Sequence, residues 1–160
     1  VNRDELLELC FGRPVDDLPR PEKYLVQQEF DDENPQIVHV RALVGIAYRS
    51  VLVRASSAPG AGIGVAATVV RVGAVMNVCT DPDHRGKGYA TALLRSAHEE
   101  ITSHRTLSFA ALFADPALAG FFERPEFGYQ HPELAPERFY VAALTDEQWP
   151  SASVDTRGSW

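Results

Sequence analysis

The chain has 160 residues, 45% of them hydrophobic and 23% charged, which is enough apolar material for one ordinary domain, residues 1–160, with a buried core. That balance excludes a disordered chain, and no apolar run approaches the roughly 18 residues of a membrane span. A formal net charge of −7 argues against nucleic acid as a main partner and is compatible with a cationic amine substrate, although acidity chiefly reports solubility.

The charged start Val1-Asn2-Arg3-Asp4-Glu5 does not open a secretory signal. Arg3 to Cys10 reads as a short helix, with Leu6, Leu7 and Cys10 on one face and Gly12 as its stop. Arg13 to Pro21 holds three prolines and reads as a loop. Glu22 to Phe30 is ambiguous: Pro21 favours a first helical turn, whereas Tyr24-Leu25-Val26 suits a strand, and helix is the preferred reading. Asp31 to Pro35 is a turn. Strands are expected over Ile37 to Leu43 and Ile46 to Arg54, then a loop over Ala55 to Gly64. The long run Val65 to Thr80 is expected to carry a turn or bulge near Val72-Gly73.

A helix follows from Tyr89 to about His104, with Leu93, Leu94, Ala97 and Ile101 on one side. Leu107 to Phe113 reads as a buried strand. Asp115-Pro116 starts a second helix running to about Arg124, by an N-cap oxygen and a proline in the first turn. Phe127-Gly128-Tyr129 turns into the last part of the sheet, and Glu137 to Leu144 is a final strand. Trp149 and Trp160 suggest that the tail packs back onto the body. The order is that of an α/β fold with a mixed sheet. Two cysteines, Cys10 and Cys79, make no disulfide framework; reduced thiols in a cytoplasmic protein are expected.

The most informative stretch runs from Val78 to Leu94. The apolar run Val75 to Val78 suits a buried strand, Asp81-Pro82-Asp83 stops it, and Gly86 and Gly88 leave the backbone bare just before the helix at Tyr89. The first N–H groups of a helix have no partner within it and sit at the positive end of its dipole, so phosphate oxygens can approach where side chains are missing. Arg85 and Lys87 add charge to the same loop. A P-loop would need serine or threonine after Lys87, where Gly88 stands, and a dinucleotide fingerprint would need glycine where Thr91 stands.

Arg85-Gly86-Lys87-Gly88-Tyr89-Ala90 fits Arg/Gln-x-x-Gly-x-Gly/Ala, with Val78, Thr80 and Pro82 ahead of it and Ala92-Leu93-Leu94 behind. From about Val65 to Tyr129 the chain resembles the GNAT acetyltransferase superfamily, with a slight similarity to its aminoglycoside acetyltransferase branch. The resemblance implies a GNAT-like α/β fold, a mixed and mostly antiparallel sheet with helices on both faces. It implies acetyl-CoA as co-substrate and no metal. The pyrophosphate would lie on the backbone amides of Arg85, Gly86, Lys87, Gly88, Tyr89, Ala90 and Thr91, and the pantetheine arm along the backbone of Val78, Cys79 and Thr80. The acetyl group would pass to the amine of a small molecule by direct attack. Neither nucleic acid nor membrane is an expected partner, and a homodimer is left open.

The chain departs from the family at the group that protonates the leaving thiolate. The tyrosine of the second helix is replaced by Phe122, and Asp115 stands in the place of an asparagine. Tyr129 and Tyr140 are the nearest substitutes by position, and His39 is a candidate base whose structural role is the simpler reading. Two functions therefore compete: an N-acetyltransferase, and an acyl-CoA-binding domain of little or no turnover that acts as a sensor or partner subunit.

Overall fold

A computed structural model describes residues 1–54, 67–156 and 160. The expected loop Ala55 to Gly64 lies outside the described residues. The elements are α1 (Arg3–Phe11), β1 (Lys23–Phe30), β2 (Val38–Arg54), β3 (Ala67–Thr80), α2 (Tyr89–Ser103), β4 (Phe109–Phe113), α3 (Ala119–Phe122), β5 (Phe139–Ala143) and β6 (Ser153–Asp155). The strands form a mixed, mostly antiparallel six-stranded sheet in the order β1-β2-β3-β4-β5, with β6 paired to β2. The parallel pair is β3 with β4. No helix among the described residues is long and apolar enough to cross a membrane.

The chain divides into two compact units. The first comprises Val1–Ala47 and Val75–Glu100. There α1 is held by a reciprocal cap: the Asn2 side chain accepts from the Glu5 N–H at 3.0 Å, and the Glu5 carboxylate accepts from the Asn2 N–H at 2.9 Å. Leu6 and Leu7, fully buried, join Leu18, Val40, Leu43 and Cys79 in one core. Each buried leucine contributes roughly 1.5–3 kcal/mol.

Residues 23–30 are strand, against the helical expectation. Lys23 to Phe30 pairs antiparallel with Ile46 to Val38, with a bulge between Gln27 and Gln28. A proline in the first-turn position is only a local preference, and the ladder with β2 overrides it. The two strands expected over Ile37–Leu43 and Ile46–Arg54 are one continuous strand of 17 residues, because Val44-Gly45 stays extended and remains paired with Leu25 and Tyr24.

The second unit comprises Tyr48–Ala74 and Ile101–Trp160. Its core joins Val51, Val53, Val72, Phe109, Ala111, Phe139, Val141, Ala152 and Val154, with Trp149 and Trp160 against it. Asp115 caps the turn that leads into α3, accepting from the Ala117 N–H at 2.9 Å. The expected helix to Arg124 is shorter: Pro116–Leu118 is 3₁₀ and α3 ends at Phe122. In the tail, Ser153–Asp155 adds a strand that sequence patterning did not suggest, pairing with Leu52–Arg54.

β3 runs as strand through Val72-Gly73, with no turn there. Gly73 is needed for packing instead, since a Cβ there would lie 2.4 Å from Ile101 Cγ2. The left-handed residue of β3 is Asn77, with φ 51°.

Candidate functional site

The glycine loop lies within the first unit and is built from three pieces. The first is the end of β3. Asn77 leaves extended geometry, and its buried side chain is anchored by donating to the Pro19 carbonyl at 2.8 Å and to Tyr24 Oη at 3.0 Å. A side-chain amide with two partners makes the left-handed backbone affordable at a residue other than glycine. Val78 and Thr80 are half-buried and Cys79 is buried.

The second piece is the turn. Asp81 is buried and tied down from several directions. Its N–H donates to the Arg41 carbonyl at 2.7 Å, Oδ1 accepts from the Asp83 N–H at 3.1 Å, and Oδ2 accepts from Arg41 Nη1 at 3.2 Å. His84 Nδ1 lies 3.0 Å from Asp81 Oδ2, but off the hydrogen-bonding direction. Burial pushes the Asp81 carboxyl up, yet the Asp83 amide and the charges of His84 and Arg41 outweigh it and hold the group below its usual range.

The third piece is the loop and helix start. Arg85, Gly86, Lys87 and Gly88 are exposed, while Tyr89, Ala90 and Thr91 are half-buried in the first turn of α2. Gly86 and Gly88 both take left-handed backbone, φ 78° and 80°, and a Cβ built at either would meet nothing within 4 Å. These two glycines therefore answer to backbone conformation and to open space, with no packing neighbour requiring them. The Gly88 carbonyl accepts the helical bond from Ala92 N–H at 3.0 Å; the amides before Ala92 precede the first possible intrahelical donor.

A polar chain fixes the helix start to the sheet. Tyr89 Oη donates to Glu29 Oε1 at 2.5 Å, and Arg41 Nε donates to Glu29 Oε2 at 3.0 Å. These two bonds hold the Glu29 carboxyl below its usual range. Lys87 Nζ stands 6.0 Å from the centroid of the Tyr89 ring. Sequence patterning identified the loop but missed Glu29, Arg41 and Asp81 as its support. Glu29 and Arg41 gave little signal, each being one of several polar residues in its strand, and the misreading of residues 22–30 as helix hid the first of them.

The other candidates are placed as follows. His39 Nε2 lies 3.3 Å from Asp31 Oδ2, beside an acidic depression of about 490 Å³ lined by Glu29, Asp31, Asp32, Glu33 and Arg41. In the second unit Phe122 is buried with its ring edge-on to Tyr129, centroids 6.0 Å apart. Tyr129 is 1% exposed, and burial pushes its phenol well above the ordinary value. Tyr140 is buried beside the ring of His131, 5.7 Å away. Among the described residues no group of three or more His, Cys, Asp or Glu side chains is arranged to hold a metal ion.

Comparisons with known proteins converge on one family. Residues 5–131 match the model described as Acetyltransferase (GNAT) domain. No curated protein matches the chain. Among solved structures, a GNAT family N-acetyltransferase (YhbS) from Escherichia coli in complex with CoA is 18% identical, with a TM-score of 0.54, over 89% of this chain and 74% of that one. A GNAT family acetyltransferase from Brucella melitensis in complex with acetyl-CoA is 17% identical, with a TM-score of 0.50, over 85% and 66%. Eis1 from Mycobacterium abscessus is 19% identical with a TM-score of 0.48, and this chain covers 78% of its own length but spans only 27% of that protein. At such identities the first two likenesses speak for the fold alone. With the family model covering most of the sequence, the chain belongs to the GNAT acetyltransferase domain family.

Proposed function

We propose that the chain is an N-acetyltransferase that takes its acetyl group from acetyl-CoA and delivers it to the amine of a small molecule. The observation that carries this reading is the loop: two left-handed glycines with open space at both Cβ positions, flanked by Arg85 and Lys87, at the start of a 15-residue helix. The open cradle fits a pyrophosphate, because it combines backbone donors, the positive helix end and two side-chain cations. In this reading the amides from Arg85 to Thr91 hold the pyrophosphate, and the backbone of Val78, Cys79 and Thr80 runs beside the pantetheine arm. CoA-bound and acetyl-CoA-bound relatives of the same fold support it.

The thioester supplies an activated acetyl group, and the chain's task is to orient it and to bind the developing oxyanion. A backbone N–H near Val78 is the proposed donor. The amine must be neutral to attack, which a water relay or a base achieves. The acidic depression around Glu29 is not assigned to the amine: Glu29 is bonded to Tyr89 at the pyrophosphate end, whereas the acetyl group lies at the far end of the pantetheine arm. A small-molecule acceptor and a cytoplasmic setting complete the proposal.

A second reading, an acyl-CoA-binding domain with little turnover, is favoured by one residue. Phe122 stands where the family tyrosine is expected and has no proton to give. Calorimetric titration with acetyl-CoA and free CoA tests what both readings share. A Kd near micromolar, about −8 kcal/mol, is expected, and absence of binding at millimolar ligand overturns both. Release of free thiol with a panel of amines then separates them: turnover selects the transferase, and binding without turnover on any amine selects the second reading.

A further inference from the structure

Two thiols meet beside the glycine loop. Cys10 comes from the last turn of α1 and Cys79 from the penultimate position of β3. Although 69 positions apart in the numbering, they meet in one core, where Cys10 packs against the cluster that holds Cys79. Cys10 Sγ also donates to the Thr80 carbonyl at 3.5 Å. Cys79 is enclosed by the core of Leu6, Leu7, Val40 and Leu43, with Cys10 half-buried at its edge.

The charges around the pair are Arg85, from the loop, and Asp81, from the turn. The neighbouring Cys79 thiol and the Arg85 guanidinium lower the Cys10 thiol, with burial and Asp81 opposing. Cys79, deeper in the core, is pushed up by Cys10 and by burial. A half-buried sulfur at the edge of the core, backed by a second thiol enclosed within it, has the division of roles of an attacking and a resolving cysteine.

We propose that Cys10 and Cys79 form a thiol–disulfide switch, operated by low-molecular-weight disulfides, that adjusts the grip of the glycine loop on its ligand through Thr80. The Cys10 thiolate attacks one sulfur of the small disulfide, forming a mixed disulfide and releasing one small thiolate. Cys79 then attacks the Cys10 sulfur, passing its proton to solvent, and the second small thiolate leaves. Two protein thiols are oxidised, the small disulfide is reduced to two thiols, and both released thiolates take up protons. In the reduced state the Cys10 thiol donates to the Thr80 carbonyl. The disulfide has no S–H to donate, so oxidation frees that carbonyl for a ligand.

The coupling to ligand rests on the acetyl-CoA reading; the disulfide itself does not. The test treats the whole chain with oxidised glutathione and reads intact mass and linked peptides, alongside circular dichroism to confirm the fold. The expected product loses two hydrogens and links the Cys10 peptide to the Cys79 peptide. Cys79→Ala stops at a glutathione adduct on Cys10, and Cys10→Ala leaves Cys79 unmodified. A wild-type adduct that never resolves, or equal modification of both variants, overturns the switch. Desulfo-CoA, which has no thiol to exchange, is then titrated into reduced and oxidised protein. Several-fold tighter binding by the oxidised form is expected, and unchanged or weaker binding overturns the coupling. If the reduced protein does not bind desulfo-CoA at all, the acetyl-CoA reading has failed, while the mass result still decides the disulfide.

Discussion

Gly88 shows how much a single backbone angle demands. At φ 80° a side chain costs about 1 kcal/mol in strain, while the space beside it is empty. Gly88→Glu therefore folds with a modest stability loss but sets a carboxylate against the proposed pyrophosphate site; CoA affinity measured by calorimetry is expected to fall more than tenfold. Tyr129 makes the opposite case. It is the nearest tyrosine to Phe122 in the sequence, but it is enclosed, and burial makes its phenol a weaker proton donor. Tyr129→Phe is expected to leave kcat within a few-fold of wild type, whereas loss of the general acid costs roughly a hundredfold. The need for glycine at positions 86 and 88 was legible from residue types alone, because bare backbone before a helix has few other uses. The enclosure of Tyr129 was not legible, since burial depends on what the rest of the chain packs around it.

Among the elements, α2 was readable nearly to the residue, from Tyr89 to Ser103, because Leu93, Leu94, Ala97 and Ile101 repeat at helical spacing over more than two turns. β1 was not readable. Its burial alternates weakly along Lys23–Phe30, so the pattern carried little signal, and its strand character comes from the ladder with β2. Glycine illustrates the same division. Gly73 invites a bend when read in isolation, but in the fold it makes room for Ile101. Gly73→Ala forces a methyl group into a stiff β-branched side chain. A loss of about 1–3 kcal/mol is expected, read from the midpoint of urea unfolding; an unchanged midpoint would show that Ile101 yields freely.

For the whole molecule, acid stability follows from the buried groups. Burial lowers His98 from its ordinary 6.5 to about 4. The unfolded chain therefore binds a proton at this position while the folded chain does not, and the stability involved is complete above about pH 6.5 and drains away as pH falls to about 4. The loss is about 3 kcal/mol at most, and His98→Leu should flatten the pH profile of urea unfolding across that interval. Asp81, Asp31 and Glu29, all held below their ordinary values, add a second loss at lower pH. There the unfolded carboxylates take up protons before the folded ones do. A profile that is level from neutral pH down to about 5 would sink the His98 account.

The sequence by itself determined the α/β class, the family and the loop from Arg85 to Thr91, because glycine, charge and helical periodicity act over a few neighbouring residues. Tertiary structure alone decided what holds that loop. Glu29, Arg41 and Asp81 come from three strand ends separated by up to 52 positions, and Cys10 reaches Thr80 across 70. Such contacts exist only where β1 and β2 are paired and α1 buries Leu6 and Leu7. No local pattern encodes them, since their energy depends on distances that the folded backbone sets.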